Sequence, residues 1–153
     1  LEILSEFGTP GAGKGAFAGL IDGGDGYLYG TTFSGGVSNL GTIYRVTPAG
    51  AVSVLHNFGP VSDNGFWTEH PLVRASDGNF YGVTQYGGTQ NGGTVFKLTK
   101  AGVYSVLFSF SPATGYFPYS KLLEGPDGAL YGVALFGGST DAGVVYRVTK
   151  AGA

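Results

Sequence analysis

The chain contains no cysteine and no methionine, one tryptophan, two histidines, and only 12% charged residues among 153. Each shortage removes a class of explanation. Without cysteine there is no disulfide framework and no thiolate metal site. Eight Lys and Arg stand against ten acidic residues and are scattered, which excludes the basic stripe of a nucleic-acid or anionic-membrane surface. No apolar run approaches the roughly 20 residues that cross a bilayer as a helix. The chain opens at Leu1 without a signal-peptide pattern and reads as an excised or processed piece of a longer parent. What is plentiful is glycine, 30 of 153, and aromatic residues, 14%, too many for a disordered glycine-rich linker. Glycine punctuating short runs of Val, Ile, Leu, Tyr and Phe predicts short strands and tight turns, an all-β chain.

Those runs repeat. Asp25-Gly-Tyr-Leu-Tyr-Gly30, Asp77-Gly-Asn-Phe-Tyr-Gly82 and Asp127-Gly-Ala-Leu-Tyr-Gly132 align at spacings of 52 and 50 residues. Each is followed by a Gly-Gly pair, then by a strand-like run at 42–47, 94–99 or 144–149, then by Ala-Gly. Asp-Gly and Ala-Gly are hairpin signals, because glycine accepts the positive φ these turns need. Each repeat therefore predicts four strands: one ending near Ile21, Val73 or Leu123, one carrying Tyr-Gly, one carrying Tyr/Phe-Arg/Lys, and one over 52–58 or 104–110.

The third repeat lacks its fourth strand, and the missing sequence stands at the other end of the chain. Leu1–Phe7 matches 52–58 and 104–110 without a gap, with Leu4, Leu55 and Leu107 coincident and Phe7, Phe58 and Phe110 coincident. Four-stranded repeats set radially make a β-propeller of about 4–8 blades. The fold expected is a propeller fragment of three blades: an N-terminal locking strand at 1–7, blades at 17–58 and 71–110, and the first three strands of a last blade at 121–153. Three blades are too few to close, and an open edge invites pairing. Homo-oligomerisation is therefore expected to close the ring, with Leu1, Ile3, Leu4 and Phe7 of one copy completing the last blade of another against Val145, Tyr146 and Val148. A head-to-tail contact forms a ring when its rotation closes. The partner is a second copy, giving nine blades as a homotrimer or six as a homodimer.

At these residues the chain resembles the Gloeo-Verruco (GloVer) tandem repeats of bacterial proteins. Leu20-Ile21, Asp25-Gly26, Leu28 to Thr32, Gly35-Gly36 and Gly41-Thr42 match that pattern closely, while the third repeat departs with Val133-Ala134 and Val144. The resemblance implies a propeller in exported or surface-anchored bacterial proteins, with no assigned activity and no catalytic residues to carry over. It also implies arrays longer than six repeats, which places the nine-bladed trimer ahead of the dimer.

Candidate chemistry is sparse. Gly8 to Lys14 fits a phosphate-loop spacing, but Gly15 replaces the Ser or Thr that holds Mg²⁺, and Gly19 and Gly23-Gly24 break the helix such a loop requires. Asp22, Asp25 and Glu124 lack the alternating ligands of a calcium loop, and turn chemistry explains Asp25, Asp77 and Asp127. His70 lies near Asp63 and Glu69, while His56 occupies the position of Phe108, so no Ser-His-acid set converges. Arg45, Lys97 and Arg147 share one position and read as strand-edge charges. No catalytic residue, metal or cofactor is expected, and the chain is read as a non-enzymatic module.

The repeats differ most in two loop sets, which a four-stranded meander places on one side. Variation over a fixed scaffold is where binding sits. Phe66, Trp67, His70, Tyr116, Phe117 and Tyr119 from one set, with Asn39, Asn91 and Asp141 from the other, are the candidate ligand residues. Aromatic planes beside amides and carboxylates suit carbohydrate, the alternative function; the competing reading is that these rings fill the wedges between blades. A glycan-cleaving enzyme is the more remote reading.

Overall fold

Each Asp-Gly dipeptide closes its hairpin in the same way. Asp25 Oδ1 accepts from the Tyr27 N–H, and Oδ2 accepts from the Tyr29 hydroxyl at 2.8 Å. Asp77 does this with Asn79 and Tyr81, and Asp127 with Ala129 and Tyr131. Burial alone would raise the Asp77 carboxyl, but the bonds from Tyr81 and Asn79 outweigh it and hold its pKa below the ordinary value. These aspartates are turn residues.

The computed structural model describes residues 1–8, 13–60 and 64–152. Asp63 lies outside them, as does the middle of the Gly8–Lys14 loop. Among the described residues there are sixteen strands and no helix. The first repeat holds β1 (Gly13–Lys14), β2 (Ile21–Asp22), β3 (Leu28–Thr32), β4 (Ser34–Gly35), β5 (Thr42–Val46) and β6 (Val52–Asn57). The second holds β7 (Gly65–Phe66), β8 (Val73–Arg74), β9 (Phe80–Thr84), β10 (Tyr86–Gly87), β11 (Thr94–Leu98) and β12 (Tyr104–Ser109). The third holds β13 (Tyr116–Pro118), β14 (Leu123–Glu124), β15 (Leu130–Phe136) and β16 (Val144–Val148).

The strands form three antiparallel meanders. The first sheet runs β2-β3-β5-β6 and the second β8-β9-β11-β12; in the third, β14 and β13 pair one side of β15 and β16 the other. The third sheet ends at β16, and Leu1–Gly8 belongs to no strand.

One element was absent from the sequence reading. The loop ahead of each repeat's first strand contains a short strand: β1 pairs with β4, β7 with β10, and β13 with the end of β15. Its glycines let the backbone come close. A Cβ on Gly65 would stand 1.9 Å from Thr84 Oγ1, and one on Gly13 2.0 Å from Thr32 Oγ1. Those threonines are themselves fixed, by Thr84–Thr94 and Thr32–Thr42 hydroxyl bonds of 2.8 and 2.9 Å. The third repeat has Ala134 and Val144 at these positions, so the pair is missing there.

The core lies between sheets. Tyr29, Ile43, Phe58, Leu72, Phe80 and Phe96 fill the joint of the first and second sheets, where Tyr29 stacks on Phe80 with centroids 4.1 Å apart. Tyr81, Val83, Val95, Phe110, Leu122 and Leu130 fill the joint of the second and third. The outer faces are less completely filled. Leu20 is 48% exposed where its counterpart Leu72 is 1%, and Val145 is 78% exposed where Val95 is 0%.

Candidate functional site

Two features bear on function: the face built from the variable loops, and the two uncovered ends. On the loop face, Asn39, Asn91 and Asp141 sit at left-handed φ (56°, 54° and 54°). Their Oδ1 atoms accept from the N–H groups of Gly35, Gly87 and Gly137 at 3.0, 2.9 and 2.7 Å. Short polar side chains tolerate this conformation by bonding locally. Each of the three therefore has an oxygen committed to closing the Gly-Gly turn.

The aromatic candidates form a run that links the sheets. Trp67 stacks on Phe33, between β3 and β4 (5.3 Å, 19°), and meets Tyr86 edge-on at 5.1 Å. Phe66 stacks on Tyr86 at 5.7 Å, Phe117 meets Tyr86 edge-on at 4.7 Å, and Tyr116 stacks on Phe136 at 5.2 Å. Trp67 and Phe117 hold φ of 57° and 61°, a strained state for bulky side chains. Backbone bonds to a loop of the preceding repeat fix them there: Trp67 N–H donates to Leu40 O at 3.4 Å, and Phe117 N–H to Gly92 O at 2.8 Å. The rings thus bridge neighbouring sheets. Phe33, Tyr86 and Phe136 complete the run and were missed from sequence. An aromatic residue just before Gly-Gly in two repeats, Tyr86 and Phe136, was the signal available.

His70 and Tyr119 form a separate pair, rings 4.8 Å apart and perpendicular. His70 Nε2 is buried without a protein partner; burial lowers its pKa, and the neighbouring Glu69 charge only partly offsets this. Glu69 instead accepts from Gln85 Nε2 at 2.9 Å. His56 stacks on Tyr104 at 3.8 Å and bonds Asn64 through Nε2 at 3.2 Å. Among the described residues the two imidazoles have separate partners, and no group of three or more His, Asp and Glu could hold a metal ion. Arg45 lies over the Tyr27 ring at 4.3 Å, Lys97 over Tyr81 at 5.9 Å, and Arg147 pairs with Asp127 at 2.9 Å.

At the ends, the named assembly residues divide. Leu1, Ile3, Leu4 and Phe7 are exposed, and so is Val145. Val148 is buried and Tyr146 half-buried against Phe110 (4.8 Å), so the third sheet's outer boundary is the free backbone edge of β16. The N-terminal segment nevertheless has a defined seat. Phe7 meets Tyr44 edge-on at 4.9 Å, as Phe58 meets Phe96 at 5.8 Å and Phe110 meets Tyr146 at 4.8 Å. A Cβ on Gly50 would touch Leu4 O, one on Gly102 would touch Leu55, and one on Gly152 would touch Leu107 O. Residues 1–7 therefore occupy on the first sheet the place that β6 occupies on the second and β12 on the third.

The defining pattern of the Gloeobacter/Verrucomicrobia repeat matches residues 1–153. A second likeness is short. The chain is 39% identical over 61 residues to a 2-hydroxymuconic semialdehyde dehydrogenase of Pseudomonas sp. (strain CF600), covering 40% of this chain and 11% of that protein. A stretch of that length is little more than one repeat, and the dehydrogenase activity is a property of that protein.

Proposed function

In a chain that belongs to the Gloeobacter/Verrucomicrobia repeat family along its whole length, we propose that the three sheets are consecutive blades of a β-propeller whose activity is to join head to tail with copies of itself. The ring is nine-bladed as a trimer, with the six-bladed dimer as the alternative, and it presents its loop face as a non-enzymatic binding scaffold. One observation carries this reading. Leu1–Phe7, which carries a fourth-strand sequence, is seated on the first sheet without a third strand to pair with, and β16 is a third strand without its fourth. The two ends are halves of one joint that the chain makes twice internally.

Exposed apolar faces and an unpaired edge cost solubility in a lone module, and head-to-tail contact removes both. Native mass spectrometry or light scattering tests the reading. With a chain of 15.7 kDa, a trimer weighs about 47 kDa and a dimer about 31 kDa. A folded monomer at micromolar concentration sinks it.

Carbohydrate binding at the loop face is the second reading, favoured by Phe136, 41% exposed and stacked on Tyr116, whose hydroxyl bonds Asp141 Oδ2 at 3.4 Å. A glycan array with the wild type and Tyr116→Ala decides it. No binding, or equal binding by both, removes this reading and leaves the scaffold.

A further inference from the structure

The head-to-tail reading can be taken to the level of register. β5 pairs β6 with Val46 opposite Val52, Arg45 opposite Ser53, Tyr44 opposite Val54 and Ile43 opposite His56, which leaves Leu55 bulged. β11 pairs β12 identically: Leu98 with Tyr104, Lys97 with Ser105, Phe96 with Val106, Val95 with Phe108, and Leu107 bulged. A bulge kept in two repeats at one position is part of the design of the strand pair. Carried to the free edge of β16, this register sets Val148 opposite Leu1, Arg147 opposite Glu2, Tyr146 opposite Ile3 and Val145 opposite Ser5, with Leu4 in the bulge.

Two properties of the edge suit that segment. A cavity of about 270 Å³ lies beside β16, lined by Phe108, Phe110, Thr114, Tyr146, Arg147 and Val148. Leu1 and Ile3 fall on the same face as Val148 and Tyr146, so their side chains would enter it. On the other face the charges are complementary. The internal joints place Ser53 and Ser105 opposite Arg45 and Lys97, whereas the joint between chains places Glu2 opposite Arg147. Arg147 is half-exposed, turns Nε and one terminal nitrogen to Oδ2 of Asp127 and also interacts with the Tyr131 hydroxyl; with five N–H donors, its fork can still take a second carboxylate.

We propose that the β16 edge is a strand-acceptor site for Leu1–Phe7 of a second copy in this register, keyed by Glu2 against Arg147. The key distinguishes the chain's terminal strand from its internal fourth strands, which offer serine at that position. It rests on the self-assembly reading, and its test separates the two.

The cysteine-free chain makes cross-linking clean. Glu2→Cys/Arg147→Cys, oxidised and run under denaturing, non-reducing conditions, is expected to give a covalent oligomer with the chain number of the native mass, reversed by reductant. Ile3→Cys/Arg147→Cys, one residue out and on the opposite face, is expected to stay single-chain. In a chain otherwise wild type, Glu2→Lys is expected to weaken association about fivefold, with Glu2→Ser between. Cross-linking by the second pair but not the first overturns the register while head-to-tail assembly stands; an unchanged association of Glu2→Lys overturns the charge key. An internal disulfide, or a wild-type monomer, overturns both.

Discussion

The second and third sheets carry nearly the same sequence and differ in their neighbours. Val83 and Val95 of the second are buried against the third; Val133 and Val145, their counterparts, face outward. Nothing in the strands themselves accounts for this, since β11 and β16 both alternate branched, aromatic and cationic residues over five positions. Burial here belongs to the joint between units, as in proteins whose stability is a sum of repeat and nearest-neighbour terms. The electrostatics follow the same rule. Asp25 and Asp77 feel a lysine from the next repeat, Lys100 and Lys150. The position of those lysines in the first repeat is Pro48, and Asp127, which has no following repeat in the chain, pairs with its own Arg147. Lys150 also binds Glu124 and Ser76, tying the second and third sheets at one more point.

The sharpest way to break this comparison is to truncate one position in both settings. Leu72→Ala removes a side chain buried in the first joint and is expected to cost about 3 kcal/mol, as large-to-small core changes do. Leu20→Ala, at the uncovered counterpart, is expected to cost under about 1 kcal/mol at dilution and to approach the Leu72 value as concentration drives head-to-tail contact. Urea melts at two protein concentrations read the difference. A small cost for Leu20→Ala that does not move with concentration means the first sheet stays uncovered.

Much of this was legible in the residues, and the reason is local. Asp-Gly and Ala-Gly fix hairpins through φ at two or three residues, so the four-strand meander and its period could be read directly. Gly26, Gly78 and Gly128 do take positive φ, and so do Gly50, Gly102 and Gly152. The short strands β1, β7 and β13 were not legible, because two residues of pairing carry no periodicity; glycine opposite a fixed threonine marks β1 and β7, and β13 lacks even that. The local bonding of the loop-face candidates was not legible either. An Asn before a glycine turn reads as a free amide until its φ and its bond to the Gly-Gly turn are known.

Those glycines give the next contrast. Gly65→Ala puts a Cβ into the Thr84 side chain, which its bond to Thr94 holds in place, and is expected to cost about 2 kcal/mol. Gly19→Ala, with no atom within 4 Å of the added Cβ and φ outside the left-handed region, is expected to be neutral or stabilising by about 0.5 kcal/mol. Thermal melts of the pair suffice. Equal effects would mean that close approach is not what the position needs.

A smaller difference separates the hairpins. Tyr81 is fully buried and bonds Asp77 at 2.7 Å; Tyr131 bonds the exposed Asp127 at 3.0 Å. Removing the hydroxyl in Tyr81→Phe should cost about 1 kcal/mol, and in Tyr131→Phe a few tenths. Reversed sizes in denaturant melts would show the outer hairpin to be covered in solution.

The smallest effect concerns the two fourth strands, where His56 of β6 stands in the place of Phe108 of β12. Burial holds the His56 imidazole below its ordinary value, and the bond to Asn64 offsets this only in part. The folded ring therefore stays neutral at a pH where the unfolded chain's ring, titrating near about 6.5, already binds a proton. The unfolded state then carries more protons, so stability is flat above that pH and falls as pH drops below it. His70 is lowered by burial too and adds a slope of the same sign. Asp77, Asp127 and Glu124, all held below their ordinary values, lose stability only as acid reaches the carboxylate range, below about pH 5. Between about pH 6.5 and 5 the imidazoles thus act almost alone, and His56→Phe, which keeps a ring for Tyr104 to stack on, should remove part of the slope there and leave the carboxylate region unchanged. An unaltered slope in that interval would assign it to His70 and place β6 and β12 on an equal footing.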